Sequence, residues 1–105
     1  MNPFGDPRKM MKQLQQAQER IQAEIAALVV EATSGGGMVK VEVDGQKQLL
    51  RLTIDPEVVS KDDVEMLQDL VVAAVNQALV KSSELAQQEM AKVTGQMNLK
   101  LTGLL

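Results

Sequence analysis

Three consecutive glycines close to a lysine are the first candidate for chemistry in this sequence. The run Gly35-Gly36-Gly37 stands three residues before Lys40. A phosphate-binding loop follows the pattern G-x-x-x-x-G-K-[ST] or G-x-G-x-x-G and opens directly into a helix. Here an alternating strand pattern follows the glycines, so Lys40 does not stand at a helix start. Because glycine readily adopts positive φ, the run predicts a tight turn between two strands.

Other residues that could perform catalysis or bind a metal are few. Asp62 and Asp63 are adjacent carboxylates, which could serve acid–base or metal chemistry. They stand where a helical pattern begins, and Glu65 follows Asp62 at the spacing of a capping box. The chain has no cysteine and no histidine, so it has neither a thiolate nucleophile nor a Cys/His zinc site. We therefore predict no catalytic residue, metal, cofactor or small-molecule substrate, and a protein that is not an enzyme.

Three cations stand together near the N-terminus. Arg8, Lys9 and Lys12 are the only charged residues between positions 7 and 18. In the first turns of a helix they would oppose the helix dipole, at a cost of roughly a few tenths of a kcal/mol each. Two interpretations remain open. The cations could form a solvated polar face, or they could form an anion-binding tip that contacts the phosphates of a duplex.

The charge distribution is uneven, although the formal net charge is only −3. Residues 1–30 hold four basic and three acidic side chains, residues 31–65 hold four and eight, and residues 66–105 hold three of each. If the N-terminal cations contact a duplex, the acidic middle from Glu42 to Glu65 would repel the DNA and confine contact to the helical ends. We expect a modest affinity for DNA that depends strongly on salt.

Two long amphipathic helices are predicted to carry these groups. The first begins at the capping residue Asp6 with Pro7 in its first position, and it gives way near Leu28. The second follows Asp62 and stops at Gly95. The apolar stripe of the first helix comprises Met10, Leu14, Ala17, Ile21, Ile25 and Leu28. The predicted buried side of the second comprises Val64, Leu67, Val71, Val75, Ala78, Leu85 and Met90.

Three short strand patterns lie between the helices: VVEATS, MVKVEVD and QLLRLTI. The sequence DGQK between the last two is a hairpin signal. One face of the third strand comprises Leu50, Leu52 and Ile54, and the other comprises Leu49, Arg51 and Thr53. We predict an α+β fold with an α-β-β-β-α protomer and a three-stranded antiparallel meander. It forms one domain over residues 1–105, with residues 96–105 as a flexible tail.

The predicted helices are longer than the predicted sheet. Helices of roughly 23 and 32 residues would span about 35 and 48 Å, whereas the strands cover only about 20 Å. Both helices must overhang, with apolar stripes that the sheet cannot cover, so we predict a homodimer. The chain shows no secretory signal and no apolar run long enough for a membrane span. We expect a cytoplasmic protein without a membrane partner.

Four segments occur in order between about residues 10 and 80. They are MMKQLQQAQERIQ, GGGMVKVEVDGQ, LTIDPEVV and DVEMLQDLVVAAVNQAL. Together they resemble the YbaB/EbfC family of bacterial nucleoid-associated proteins. The resemblance implies a small homodimer shaped like open tweezers, which binds duplex DNA and changes its conformation. It also implies roles in nucleoid organisation, DNA protection and gene expression.

The family has no single DNA-contact motif to carry over, so we select cations of the first helix as the DNA-contact candidates, with two lysines of the second helix as secondary candidates. The expected contact residues are Arg8, Lys9, Lys12, Arg20, Lys81 and Lys92. No base-reading element is evident, so we expect weak sequence specificity or a preference for DNA shape. The alternative is a protein-interaction module that docks a partner through its exposed helical stripe or through the apolar C-terminal segment LKLTGLL.

Overall fold

A three-stranded sheet stands between two helices in the order of the chain. The computed structural model describes the backbone of residues 5–103 and the side chains of residues 5–92 and 95. The elements are α1 (Pro7–Ala26), β1 (Val29–Ser34), a 3₁₀ turn (Gly35–Gly37), β2 (Val39–Asp44), β3 (Leu49–Ile54), a second 3₁₀ turn (Pro56–Val58) and α2 (Val64–Gly103). The strands lie in the order β1-β2-β3 and pair antiparallel. The predicted α-β-β-β-α meander is confirmed.

The glycine run forms the turn between β1 and β2. Gly35–Gly37 has φ angles of +61°, +68° and +94°, which other residues adopt only at a cost. Lys40 is a strand residue whose ammonium group lies 3.2 Å from a carboxylate oxygen of Glu31 and 3.9 Å from one of Glu42. The predicted turn is confirmed, and the run does not open into an α-helix as a phosphate loop would.

The core lies between α2 and the inner face of β1 and β2. Val39, Val41 and Val43 alternate along β2 and are fully buried, as the strand pattern predicts. They pack with three buried alanines, Ala32 of β1 and Ala74 and Ala78 of α2. This core is small for the length of the chain. The radius of gyration is 21.0 Å, against about 13 Å for a compact domain of this length.

The ends of α2 differ from the prediction. The Asp63 carboxylate accepts a 3.0 Å hydrogen bond from the backbone N–H of Met66 and so caps the helix. The predicted capping box of Asp62 and Glu65 is wrong, because α2 begins one residue later than that box requires. The predicted stop at Gly95 is also wrong, since α2 continues to Gly103. A glycine inside a helix costs only about 1 kcal/mol, which the helix formers on either side can offset. Residues 104–105 of the predicted tail lie outside the described residues.

Two hydrogen bonds mark where α2 crosses the sheet. The Ser34 hydroxyl at the end of β1 donates to the carbonyl oxygen of Leu70, at 2.6 Å. The Ser82 hydroxyl donates to the carbonyl oxygen of Asp44 at the end of β2, also at 2.6 Å. α2 extends beyond the sheet on both sides of this stretch. Val64 and Met90, predicted to be buried, are therefore 50% and 48% exposed.

α1 projects from the sheet and contributes no buried residue. Met10 and Leu14 of its apolar stripe are more than half exposed, which confirms the predicted overhang. Nearer the sheet, Ile21 and Ile25 are half-buried and border a groove with Met90 of α2. The two helices thus leave the sheet at the same end.

β3 carries apolar side chains that the chain itself leaves uncovered. Its register with β2 places Arg51 opposite Glu42 but Leu49 opposite Val43, so Leu50 is the extra residue of a β-bulge. Leu49 therefore lies on the core face, and the prediction that grouped it with Arg51 is wrong because the bulge breaks the alternation. α2 packs on β1 and β2. The side chains that we call the β3 strip, Leu49, Leu50 and Leu52, remain 41–52% exposed.

Ser82→Ala should lower the free energy of unfolding by about 1 kcal/mol. The hydroxyl of the fully buried Ser82 donates to the Asp44 carbonyl oxygen, which also accepts from the Lys47 N–H. Urea unfolding followed by circular dichroism would measure the loss. The control is Ser83→Ala, since the neighbouring Ser83 is less buried and has no such bond among the described residues. Equal stability of the two variants would contradict a role for the bond.

Candidate nucleic-acid interface

α1 presents four cations on one face. Arg8, Lys9, Lys12 and Arg20 are all exposed. At 3.6 residues per turn they fall within an arc of about 120°, which they share with Glu19. The apolar stripe of α1 lies on the opposite side of the helix. α1 can therefore contact an anion with one face while its other face packs against protein.

Asp6 fixes the position of these cations in the helix. Its carboxylate accepts a 3.0 Å hydrogen bond from the backbone N–H of Arg8, and Pro7 occupies the first helical position. The first turn of α1 itself contains no acidic residue. Arg8 and Lys9 thus add positive charge to the positive end of the helix dipole, which is unfavourable in the free protein. The same arrangement favours the binding of an anion.

The cations of α1 form no ion pair among the described residues. The two predicted lysines of α2 have partners within the protein. Lys81 donates a 2.9 Å hydrogen bond to the carbonyl oxygen of Glu31 on the edge strand β1, and the Lys92 ammonium lies 3.2 Å from the Glu89 carboxylate. The structure therefore groups the four predicted residues of α1 on one helix face, whereas Lys81 and Lys92 lie on α2 and have partners within the protein. DNA contact by all six stays a prediction.

Five of the fourteen acidic residues stand together at the end of the sheet opposite to α1. This acidic end comprises Asp55, Glu57, Asp62, Asp63 and Glu65, which follow β3 and lead into the first turn of α2. α1 leaves the sheet at the opposite end, beside the turn between β2 and β3. The molecule is 77 Å long, so the cationic face of α1 is well separated from the acidic end.

Two further lysines, Lys47 and Lys61, also form no ion pair among the described residues. Neither belongs to the predicted set, because each is isolated in the sequence and no charge pattern marks it. Lys61 stands within the acidic end. Lys47 stands in the turn between β2 and β3, where α1 leaves the sheet.

The described part of the chain offers few other sites. Its acidic residues form no group of three or more that could hold a metal ion. None of the helices in that part combines the length and the apolar character that crossing a bilayer requires. The exposed cations of α1 remain the candidate for an anion-binding site in the described part of the chain.

Comparisons with known proteins indicate which class of anion the cations of α1 could bind. The model of the YbaB/EbfC DNA-binding family matches residues 2–97. The chain belongs to this family. The resemblance read from the sequence is thereby confirmed, and YbaB/EbfC is a family of DNA-binding proteins rather than a known family of enzymes.

Relatives of this YbaB/EbfC chain are similar over most of their length. A nucleoid-associated protein of Caldanaerobacter subterraneus subsp. tengcongensis is 56% identical over 93 residues, which cover 86% of this chain and 84% of the relative. A nucleoid-associated protein of Syntrophobacter fumaroxidans is 49% identical over 102 residues, covering 94% and 93%. The crystal structure of an uncharacterized protein from Helicobacter pylori has a TM-score of 0.58 at 20% identity, covering 84% of this chain and 98% of that one. At that identity the structural similarity shows the fold alone.

Proposed function

We propose that this protein is a nucleoid-associated protein that binds duplex DNA as a homodimer through the cationic face of α1. The observation that carries the proposal is the gathering of Arg8, Lys9, Lys12 and Arg20, without ion pairs among the described residues, on one face of α1. Phosphate groups at this face would compensate charges that are unfavourable in the free protein. The names of the bacterial relatives support the assignment to the nucleoid, within the cytoplasm.

Recognition by this face should depend little on DNA sequence. Contacts from lysine and arginine to phosphates position a protein on the duplex but do not read the bases. Specificity would then come from the shape and deformability of the DNA. By holding the duplex at two faces, the dimer would change its conformation. Nucleoid organisation, DNA protection and effects on gene expression would follow from this.

The β3 strip supports the proposed dimer and suggests where it forms. Leu49, Leu50 and Leu52 carry no charge, and two of them lie opposite fully buried valines of β2, yet all three are about half exposed. Val64 stands on the same side of α2 as the core residue Leu67 and is 50% exposed. The chain's own core of small side chains leaves this surface uncovered. A second copy would cover it with an identical surface, as a two-fold interface requires.

The experiment that tests DNA binding is a titration of labelled duplex between 50 and 200 mM salt. Four cations per chain give up to about eight phosphate contacts per dimer. The slope of log K against log salt is then about −7, and the affinity falls on the order of 10⁴-fold over this range. Duplexes of unrelated sequence should bind with similar affinity. Salt-independent binding, or no binding at 50 mM salt, would overturn the proposal.

A second candidate function is a protein-interaction module in which DNA binding is incidental. The exposure of Met10 and Leu14 on the apolar stripe of α1 favours it, because such a stripe can dock a partner helix. Truncation of the chain after Gly95 tests whether the C-terminal segment, rather than the α1 stripe, docks the partner. Loss of a protein partner with unchanged DNA affinity would favour the interaction module.

A further inference from the structure

The turn between β2 and β3 is held firmly by Asp44. Its carboxylate, in a residue that is only 7% exposed, accepts hydrogen bonds of 2.9 Å from the backbone N–H groups of Gln46 and Gln48. The backbone of Asp44 also donates to Gln48 and accepts from Lys47, at 3.0 and 3.1 Å. The Ser82 hydroxyl ties the same carbonyl oxygen to α2. The turn is therefore a fixed part of the scaffold.

Lys47 occupies an unfavourable backbone conformation in this turn. Its φ of +66° makes it the one non-glycine residue with positive φ in the described part of the chain. Glycine adopts this conformation without steric cost, and the chain uses glycine throughout the turn Gly35–Gly37. A lysine at this position is less stable than a glycine would be. A lysine at such a position points to a role for its side chain that glycine could not fill.

The surroundings of Lys47 suggest that role. The side chain borders a groove with Ser83, Glu84 and Gln87 of α2, but it forms no ion pair with Glu84 among the described contacts. The neighbouring Gly45 packs directly against the backbone carbonyl of Ile25 near the end of α1. Lys47 thus presents a positive charge where both long helices leave the sheet.

We propose that Lys47 is a phosphate-binding residue for duplex DNA at the base of α1. It would extend the cations of α1, which run from Arg8 near the tip to Arg20, towards the sheet. The inference rests on the proposed DNA binding and adds a residue outside the helix to it. A lysine ammonium binds phosphate well. The fixed turn means that its backbone has little freedom left to lose on binding.

The test is Lys47→Gly, in the full-length protein, compared with Lys47→Asn and Lys47→Arg. Lys47→Gly should raise the urea midpoint of unfolding because it removes the unfavourable backbone conformation, and it should still weaken binding of labelled duplex. Removing one phosphate-binding ammonium group from each chain of the dimer would make the slope of log K against log salt shallower by about 1.8. The fall in affinity between 50 and 200 mM salt would then be about twelvefold smaller for the variant than for the wild-type protein.

Lys47→Asn should show the same DNA effect, since asparagine tolerates positive φ but carries no charge. Lys47→Arg keeps the charge and should keep the wild-type slope. The matched control is Lys61→Asn, which removes an exposed lysine at the acidic end and should leave the slope unchanged.

Two results would overturn the inference and leave the proposed function standing. One is a Lys47→Gly protein with raised stability but wild-type affinity and slope. This result would show that Lys47 takes no part in DNA binding. The other is a Lys47→Arg protein with the shallow slope of the neutral variants. Absence of duplex binding by the wild-type protein would overturn the inference and the proposed function together.

Discussion

The triple variant R8A/K9A/K12A should bind duplex DNA more weakly than the wild-type protein at 50 mM salt, and its fall in affinity between 50 and 200 mM salt should be about a thousandfold smaller. It removes three phosphate-binding cations per chain and six per dimer. Six phosphate contacts make the affinity fall about 10³-fold between 50 and 200 mM salt. When these contacts are removed, the slope of log K against log salt should become shallower by about 5. Fluorescence anisotropy of a labelled duplex at several salt concentrations would measure both quantities.

The control for this variant is K40A/R51A/K61A, which changes the net charge by the same amount at other places. Lys40 and Arg51 belong to exposed ion pairs on the strands, and such pairs contribute little to stability. We expect the control to keep most of its affinity. Both variants should stay folded by circular dichroism, since the cations of the first turn oppose the helix dipole. Equal losses in the two variants would show that net charge, and not the α1 face, governs binding.

Leu52→Glu should convert the proposed dimer into a monomer. Leu52 lies opposite the fully buried Val41 and is 41% exposed, so a glutamate can reach water in the isolated chain. In a dimer that joins two β3 strips, two carboxylates would be buried together, at a cost of several kcal/mol. The sedimentation mass should fall from about twice the chain mass of 11.4 kDa to that mass. DNA affinity should fall on the order of 10²-fold or more, because the two cationic faces would no longer be linked.

Val80→Glu is the matched control for the interface. Val80 is 57% exposed on α2 and does not pack against the core cluster. A dimer through the β3 strips would leave Val80→Glu dimeric. Dissociation of both variants, or of neither, would place the interface elsewhere. A wild-type protein that sediments as a monomer at micromolar concentration would contradict the dimer itself.

The features that the sequence predicted well depend on nearby residues. Asp6 and Pro7 start α1, and the Asp44-Gly45 pair forms the hairpin, because capping and turn formation involve residues within a few positions. The gathering of cations on α1 follows from helical periodicity alone. Contacts between distant segments are not needed to form these features.

The features that the sequence did not predict depend on contacts between distant segments. The bulge at Leu50 arises from how β3 pairs with β2, so alternation within β3 could not reveal it. The hydrogen bond from Lys81 to the Glu31 carbonyl joins residues fifty positions apart. The positive φ of Lys47 is a local exception, since it lies among hydrogen bonds within residues 44–48, but the DGQK pattern does not indicate which residue adopts it.

The close packing of Gly45 against α1 has a mechanical consequence. The carbonyl oxygen of Ile25 occupies the space that a Cβ at Gly45 would need, so α1 rests directly on the backbone of the turn. From Ile25 to Arg8 the helix is a lever of about 25 Å, and a tilt of about 10° at its base moves the tip by about 4 Å. That displacement is more than the axial step of about 3.4 Å between successive phosphates of one strand. A side chain at position 45 would push α1 away from the turn and change its tilt. Glycine at this position would thus determine which phosphates the far end of α1 can reach.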